Sequence, residues 1–301
     1  MTADRRLDRA RGALLGTFTG DALGMPFEGE PPEAVPERLE MLAARLGRGT
    51  YTDDTQMAIA LAESLLERGG VDEEHLARTF LAAYDPLRGY GSGTRAVLAL
   101  IAVGVPAADA ALRAFAGRGS LGNGAAMRVA PVAVRYADDP QALLDAAKRC
   151  AGVTHAHPIG IDAAMTQAAA VGAALRGEDP LAAARATATT TELRRRLATA
   201  TRLLEESPPP HAVAAALGNG STGHESVPAA IYAAAAHANF EDAVGFAVRC
   251  GGDTDTIGAM AGAIAGARDG ETAIPAHWLD ALEDGEKGRS HVERLAEQLI
   301  S

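Results

Sequence analysis

Cysteine is nearly absent. Cys150 and Cys250 are the only two in 301 residues, and neither lies in a Cys-x-x-Cys pair. That excludes a disulfide framework, and without a His-Glu-x-x-His stretch there is no conventional zinc site either. Aromatic residues are 4% of the chain and alternating Val, Ile and Thr runs are scarce, so strands are poorly encoded. Positive charge is also short: 28 Lys and Arg against 39 Asp and Glu leave a formal net charge of −11. A nucleic-acid backbone or an anionic membrane therefore matches this surface poorly as a main partner. Apolar runs such as 257–267 fall short of the ~18 residues that span a bilayer. The first residues, which mix Arg5, Arg6 and Arg9 with Asp4 and Asp8, make a poor signal peptide. A soluble, monomeric protein of a reducing cytoplasm is expected.

What is abundant is alanine, and with it helical spacing. The pattern predicts helices over 5–23, 32–46, 54–68, 72–84, 93–103, 107–115, 124–136, 140–152, 158–176, 191–206, 226–238, 240–249, 256–267 and 283–300. Pro208-Pro209-Pro210 is the only proline run, and it and the stretch 218–223 read as surface loops. An all-α fold is therefore expected, with 1–301 forming a single domain. Gly258, Gly262 and Gly266 recur every four positions on one helix face, which marks a helix that a neighbour crosses at close range.

Two acidic clusters stand about two hundred residues apart: Tyr51-Thr52-Asp53-Asp54-Thr55 and Gly251-Gly252-Asp253-Thr254-Asp255-Thr256. Each precedes a helical pattern, where Thr and Asp also serve as ordinary caps. Capping needs one side chain, however, whereas these sequences crowd like charges that repel unless a cation neutralises them. Paired carboxylates and hydroxyls are the oxygen set preferred by hard divalent ions such as Mg²⁺ or Mn²⁺. An EF-hand is excluded, because an apolar helix follows Asp255 where a twelve-residue loop would be needed.

Glycine clusters interrupt the helices at 20–24, 89–93 and 119–124, and the third precedes Ala125-Ala126-Met127-Arg128. Backbone N–H groups at such helix starts can receive a phosphate; each cluster alone reads first as a turn, and the three together, beside the acidic clusters, point to a phosphorylated ligand. His155 and His157 flank a helix start but lack partners for zinc. Glu28 sits in a Gly/Pro loop, where a carboxylate beside a metal centre could ligate, position water or gate entry.

Taken in order, these segments resemble the ADP-ribosylhydrolase family, also called ADP-ribosylglycohydrolases, which includes the bacterial dinitrogenase reductase-activating glycohydrolase. The match runs through Gly12-Ala13-Leu14-Leu15-Gly16, Gly20-Asp21-Ala22-Leu23-Gly24, Glu28, 51–56, 88–94, 119–128, Thr154-His155 and 251–256. The resemblance implies a compact all-α fold and two divalent cations, Mg²⁺ or Mn²⁺, ligated by Thr52, Asp53, Asp54, Asp253, Asp255 and Thr256. It implies ADP-ribose with its distal ribose on the cations. The substrate-binding set is Asp54, Gly91, Ser92, Gly93, Ser120, Gly122, Asn123, Gly124, Met127 and His155. The proton-transfer roles fall to Asp253 or Asp255 as base and to Glu28 as gate and acid.

No adenine-stacking residue is assigned; Tyr90, Tyr232 and Phe240 are candidates. The expected substrate is an ADP-ribosylated protein, through arginine first, with O-linked serine or a small ADP-ribose ester as alternatives. A third reading, a fold kept without catalysis as in the related lens crystallins, is opposed by the crowded carboxylates.

Overall fold

The structure is a computed structural model describing residues 2–301. Among these residues the α-helices are α1 (Ala3–Gly24), α2 (Asp53–Arg68), α3 (Glu73–Ala83), α4 (Ser92–Ala102), α5 (Ala107–Gly117), α6 (Ala130–Arg135), α7 (Pro140–Gly152), α8 (Pro158–Arg176), α9 (Pro180–Thr187), α10 (Thr191–Glu206), α11 (Pro210–Leu217), α12 (Gly223–Ala236), α13 (Phe240–Arg249), α14 (Thr254–Asp269), α15 (Ala276–Leu279) and α16 (Arg289–Leu299). The one described sheet is a two-residue antiparallel pair, Ala43–Ala44 with Gly47–Arg48. The all-α expectation holds.

Two helical expectations and one loop expectation are corrected. The segment 32–46 is not a helix but a single 3₁₀ turn, Pro32–Ala34, followed by the small hairpin. Pro36 is the reason: it forces Val35 into extended backbone (φ −84°, ψ 126°) and would remove a helical hydrogen bond. The helix expected over 124–136 starts only at Ala130, with Pro131 in its first turn, and 124–128 are turns, from which Gly124 and Met127 line the site. The proline run read as a loop opens α11, because Pro210 at the first helical position gives up an N–H that has no partner there. The same logic, with Asp179 as cap, begins α9.

Helix α14 is apolar and small all round, and its residues from Thr254 to Ala267 are buried, so it is the core element around which α1, α8, α12 and α13 pack. Its glycine face has a counterpart. Gly12, Gly16 and Gly20 of α1 face Gly266, Gly262 and Gly258 in turn, and a Cβ at any of the six would collide with the opposite backbone carbonyl. Two helices with no side chains between them pack backbone to backbone. The hydroxyl of Thr254 donates to the Gly24 carbonyl at 2.8 Å, which ties the start of α14 to the end of α1. The ends that carry acidic residues are thereby brought side by side.

Candidate active site

Thr52, in extended backbone, caps α2 by accepting from the Asp54 N–H at 3.3 Å. Capping is therefore met by the threonine, which leaves the two carboxylates that follow it for other use. At the start of α14, Asp253 holds the cap position, yet its side chain makes no capping bond. Its Oδ2 instead accepts from Asn123 Nδ2 at 2.5 Å. The two clusters meet where the Thr256 hydroxyl approaches Asp54 Oδ2 at 3.4 Å, while the Thr52 hydroxyl donates to the same oxygen at 3.2 Å.

Behind them lies Asp21 of α1, fully buried, which sequence reasoning did not select. Its carboxylate accepts from Thr52 N at 3.1 Å, Thr55 N at 3.1 Å and the Thr55 hydroxyl at 2.6 Å, so it pins the start of α2 onto α1. The signal lies in Gly20-Asp21-Ala22-Leu23-Gly24, where a single acid sits between two glycines in an otherwise apolar helical stretch.

The Glu28 loop is fastened to the second cluster by two backbone bonds, Gly29 N to Gly252 O at 2.7 Å and Gly252 N to Glu30 O at 2.8 Å. Gly252 needs its left-handed backbone (φ 72°), and a side chain there would strike Asn219. So held, Glu28 offers an oxygen within 4.8 Å of oxygens from Asp253 and Asp255, a group that could hold a metal ion. Its Oε2 also pairs with Arg45 Nη2 at 2.6 Å, and the Arg45 guanidinium lies against Gly89. Arg45, carried by the hairpin, thus spans the mouth of the site.

Burial and mutual repulsion raise the acids. Burial, with Asp21 next, pushes Asp53 up to about 7, and burial pushes Asp21 and Asp253 each to about 6, against an ordinary 3.8. Asp54 and Asp255 are pushed well above that value, by burial first and neighbouring carboxylates second. Asp54 Oδ1 is buried with no hydrogen-bond partner. A buried, unpartnered carboxylate oxygen among like charges, with no Lys or Arg among the described residues lining the cavity, fits a cation site.

The acids floor one end of a cavity of about 320 Å³. Every residue expected at the site lines it except Thr52, which is 1% exposed and sits behind Asp54. The far wall is Gly91 to Thr94 at the start of α4 and Ser120 to Gly124, whose loop is fixed by Asn123 N to Ser221 O at 3.0 Å and Gly223 N to Leu121 O at 3.0 Å. His155 lines the cavity, whereas His157 caps α8 through Ile159 N at 3.1 Å. Tyr90, Tyr232 and Phe240 are buried in the core and offer no open ring face. The aromatic at the cavity is Phe115, half exposed, held in left-handed backbone (φ 51°) with its ring over Gly93. A second cavity of about 350 Å³ shares Phe115, Ser120, Gly122 and Ser221 with the first and adds Arg118 and His157. A larger cavity of about 530 Å³ between α2 and α3 contains none of the clustered aspartates.

An all-α frame thus joins two distant helix starts into one buried acidic floor beside glycine-rich walls. The sequence pattern of ADP-ribosylglycohydrolase matches residues 1–301, and the chain belongs to that family. It is 34% identical to the ADP-ribosylhydrolase ARH3 of Xenopus tropicalis over 334 residues, covering 96% of this chain and 95% of that protein. Against the Homo sapiens ADP-ribosylhydrolase ARH3 it is 34% identical over 354 residues, covering 99% and 94%. A solved structure titled ADP-ribosylglycohydrolase-related protein complex superposes with a TM-score of 0.82 at 36% identity, covering 99% of this chain and 98% of that one. No helix among the described residues is long and apolar enough to cross a membrane.

Proposed function

We propose that the chain, acting as one domain, hydrolyses the glycosidic bond between ADP-ribose and a modified acceptor with the help of two divalent cations. The observation that carries this reading is the set of groups gathered in one cavity: the clustered carboxylates, the glycine-rich segments 91–93 and 120–124, and the half-exposed Phe115, which also lines the adjoining cavity. A ribose, a diphosphate and an adenine call for the same three kinds of surface.

Thr52, Asp53, Asp54, Asp253, Asp255 and Thr256 would hold the cations. When bound, the cations supply fixed positive charge that grips a vicinal diol and makes a water more acidic. The chain's own residues do the rest. Asn123 occupies one oxygen of Asp253, which orients that carboxylate. The remaining oxygen of Asp253, or Asp255 beside it, takes the proton from the attacking water. Glu28 at the mouth returns a proton to the leaving group as the anomeric carbon becomes oxocarbenium-like. Gly91, with no side-chain cap on α4, leaves N–H groups free for the diphosphate.

The acceptor leaves past Glu28, where Arg45 already stands. A guanidinium acceptor would meet a like charge there, so the arginine linkage gains nothing from this mouth, and a neutral oxygen-linked acceptor such as serine fits it better. A crystallin-like role is disfavoured by the cost of keeping unpaired buried carboxylates.

The test is release of free ADP-ribose from serine- and arginine-modified peptides by the chelated protein, before and after adding Mg²⁺ or Mn²⁺. Cation-dependent release is expected, faster from serine. Release from neither peptide would remove the modified-protein reading in favour of a small ADP-ribose ester or no catalysis, and faster release from arginine would remove the acceptor assignment.

A further inference from the structure

Arg128 is buried, 1% exposed, and has no carboxylate partner among its hydrogen bonds. It lies over the ring of Phe80 at 4.5 Å and points at the Cys150 carbonyl, the Met57 sulfur and Thr154. The shortest of these contacts is to Thr154 Oγ1, at 2.7 Å. The same hydroxyl oxygen lies 2.7 Å from Nδ1 of His155. A guanidinium has five N–H donors and no acceptor, so in the first contact Thr154 can only accept. Its second lone pair could accept from an Nδ1–H, but the buried hydroxyl hydrogen has no other acceptor among its hydrogen bonds, so donation to Nδ1 is the arrangement that leaves no donor unpaired. A ring nitrogen that accepts a hydrogen carries none, so the ring proton sits on Nε2.

Nε2 is the edge turned to the cavity. Cβ atoms at Gly122 and Gly124 would stand 3.7 Å and 3.4 Å from it, so the two glycines leave that nitrogen open to a ligand. Gly160 admits the opposite flank of the ring, where a Cβ would come within 3.2 Å of Cδ2.

We propose that Arg128 and Thr154 are positioning residues that lock His155 into the Nε2–H form, presenting one fixed donor to an acceptor oxygen of the bound ligand. The direction of the relay follows from the guanidinium, which can only donate, and from the buried hydroxyl hydrogen of Thr154, which has Nδ1 as its one acceptor among its hydrogen bonds. Burial, with Arg128 next, lowers His155 to about 3, so the ring stays neutral across the physiological range. It donates without carrying charge, and its orientation is set before the ligand arrives, so no ring flip accompanies binding. The ligand half of this inference rests on the ADP-ribose reading; the tautomer half stands on the relay alone.

Long-range ¹H–¹⁵N correlation spectra of the full chain with labelled histidine rings test it, with His155→Gln identifying the signals. His155 should show a protonated Nε2 and an unprotonated Nδ1, unchanged between pH 5 and pH 8. Thr154→Val, which cannot donate, should release the tautomer to a mixture and weaken ADP-ribose binding by about tenfold in calorimetry. Thr154→Ser should restore both. A wild-type spectrum with the proton on Nδ1 would overturn the relay, and needs no variant to fold. Thr154→Val with unchanged tautomer and affinity would overturn the positioning role. Failure of the wild type to bind ADP-ribose would remove the ligand half and the functional reading behind it.

Discussion

Replacing Asp53 with asparagine should stabilise the cation-free protein, and by more at pH 8 than at pH 5. The folded-state value of Asp53, about 7, lies above its ordinary 3.8. A raised carboxyl contributes stability fully below about pH 3.8 and loses it as pH rises through 7. The span is about three pH units, or about 4 kcal/mol at 1.36 kcal/mol per unit. Roughly 3 kcal/mol of this falls between pH 5 and pH 8. Asparagine keeps the shape and carries no such dependence. His155, held down at about 3, acts in the opposite sense by favouring the fold above its ordinary 6.5, but it is common to both proteins and cancels in their difference. The assay is chemical denaturation of wild type and Asp53→Asn, both stripped with chelator, at the two pH values. Asp53→Asn should gain about 3 kcal/mol relative to wild type on going from pH 5 to pH 8, a melting difference of roughly 5 °C or more in a chain of this size. Saturating Mg²⁺ or Mn²⁺ at pH 8 should reverse the order, since binding to the folded state stabilises only a protein that can bind. A difference that stays flat with pH, or a cation effect equal in both proteins, would refute the reasoning.

Asp255→Asn should lower turnover by at least about 100-fold and abolish detectable cation binding in a metal titration, while melting no lower than wild type in chelator. Gly262→Ala should cost about 3 kcal/mol or more by denaturation, because its Cβ meets the Gly16 backbone, which cannot yield as a flexible side chain would. Phe115→Ala should weaken ADP-ribose binding about tenfold in calorimetry with little loss of stability, since the half-exposed ring contributes little to the core.

The clusters and glycine loops were legible because each carries its chemistry in contiguous residues, and the structure brings those residues to one cavity. What escaped was set by distance in the chain or by an ambiguous local signal. Asp21 looks like any buried helix acid until α2 is seen resting on it. Arg45 fell inside a stretch read as helix, and only the backbone restriction at Val35 and Pro36 turns that stretch toward the mouth. Phe115 was hidden by an apparent helix whose last residues leave helical geometry at Ala114 (φ −58°, ψ 146°). The every-fourth-glycine face was read correctly on α14, but its partner on α1 was noticed only as a motif. Proline at a first helical position was mistaken for punctuation at α11.

The backbone contact between α1 and α14 also bears on the order in which the protein can be made. Residues 3–24 leave the ribosome well before residues 254–269, yet their glycine face finds its match only when the latter have followed. Contacts of such long range come late in folding, after the cost of closing the chain has been met. Until then Asp53 and Asp54 lack Asp253 and Asp255 opposite them, and the nascent chain presents half of the acidic floor. The repulsive floor is thus assembled last, once most of the core that must bear its strain is available.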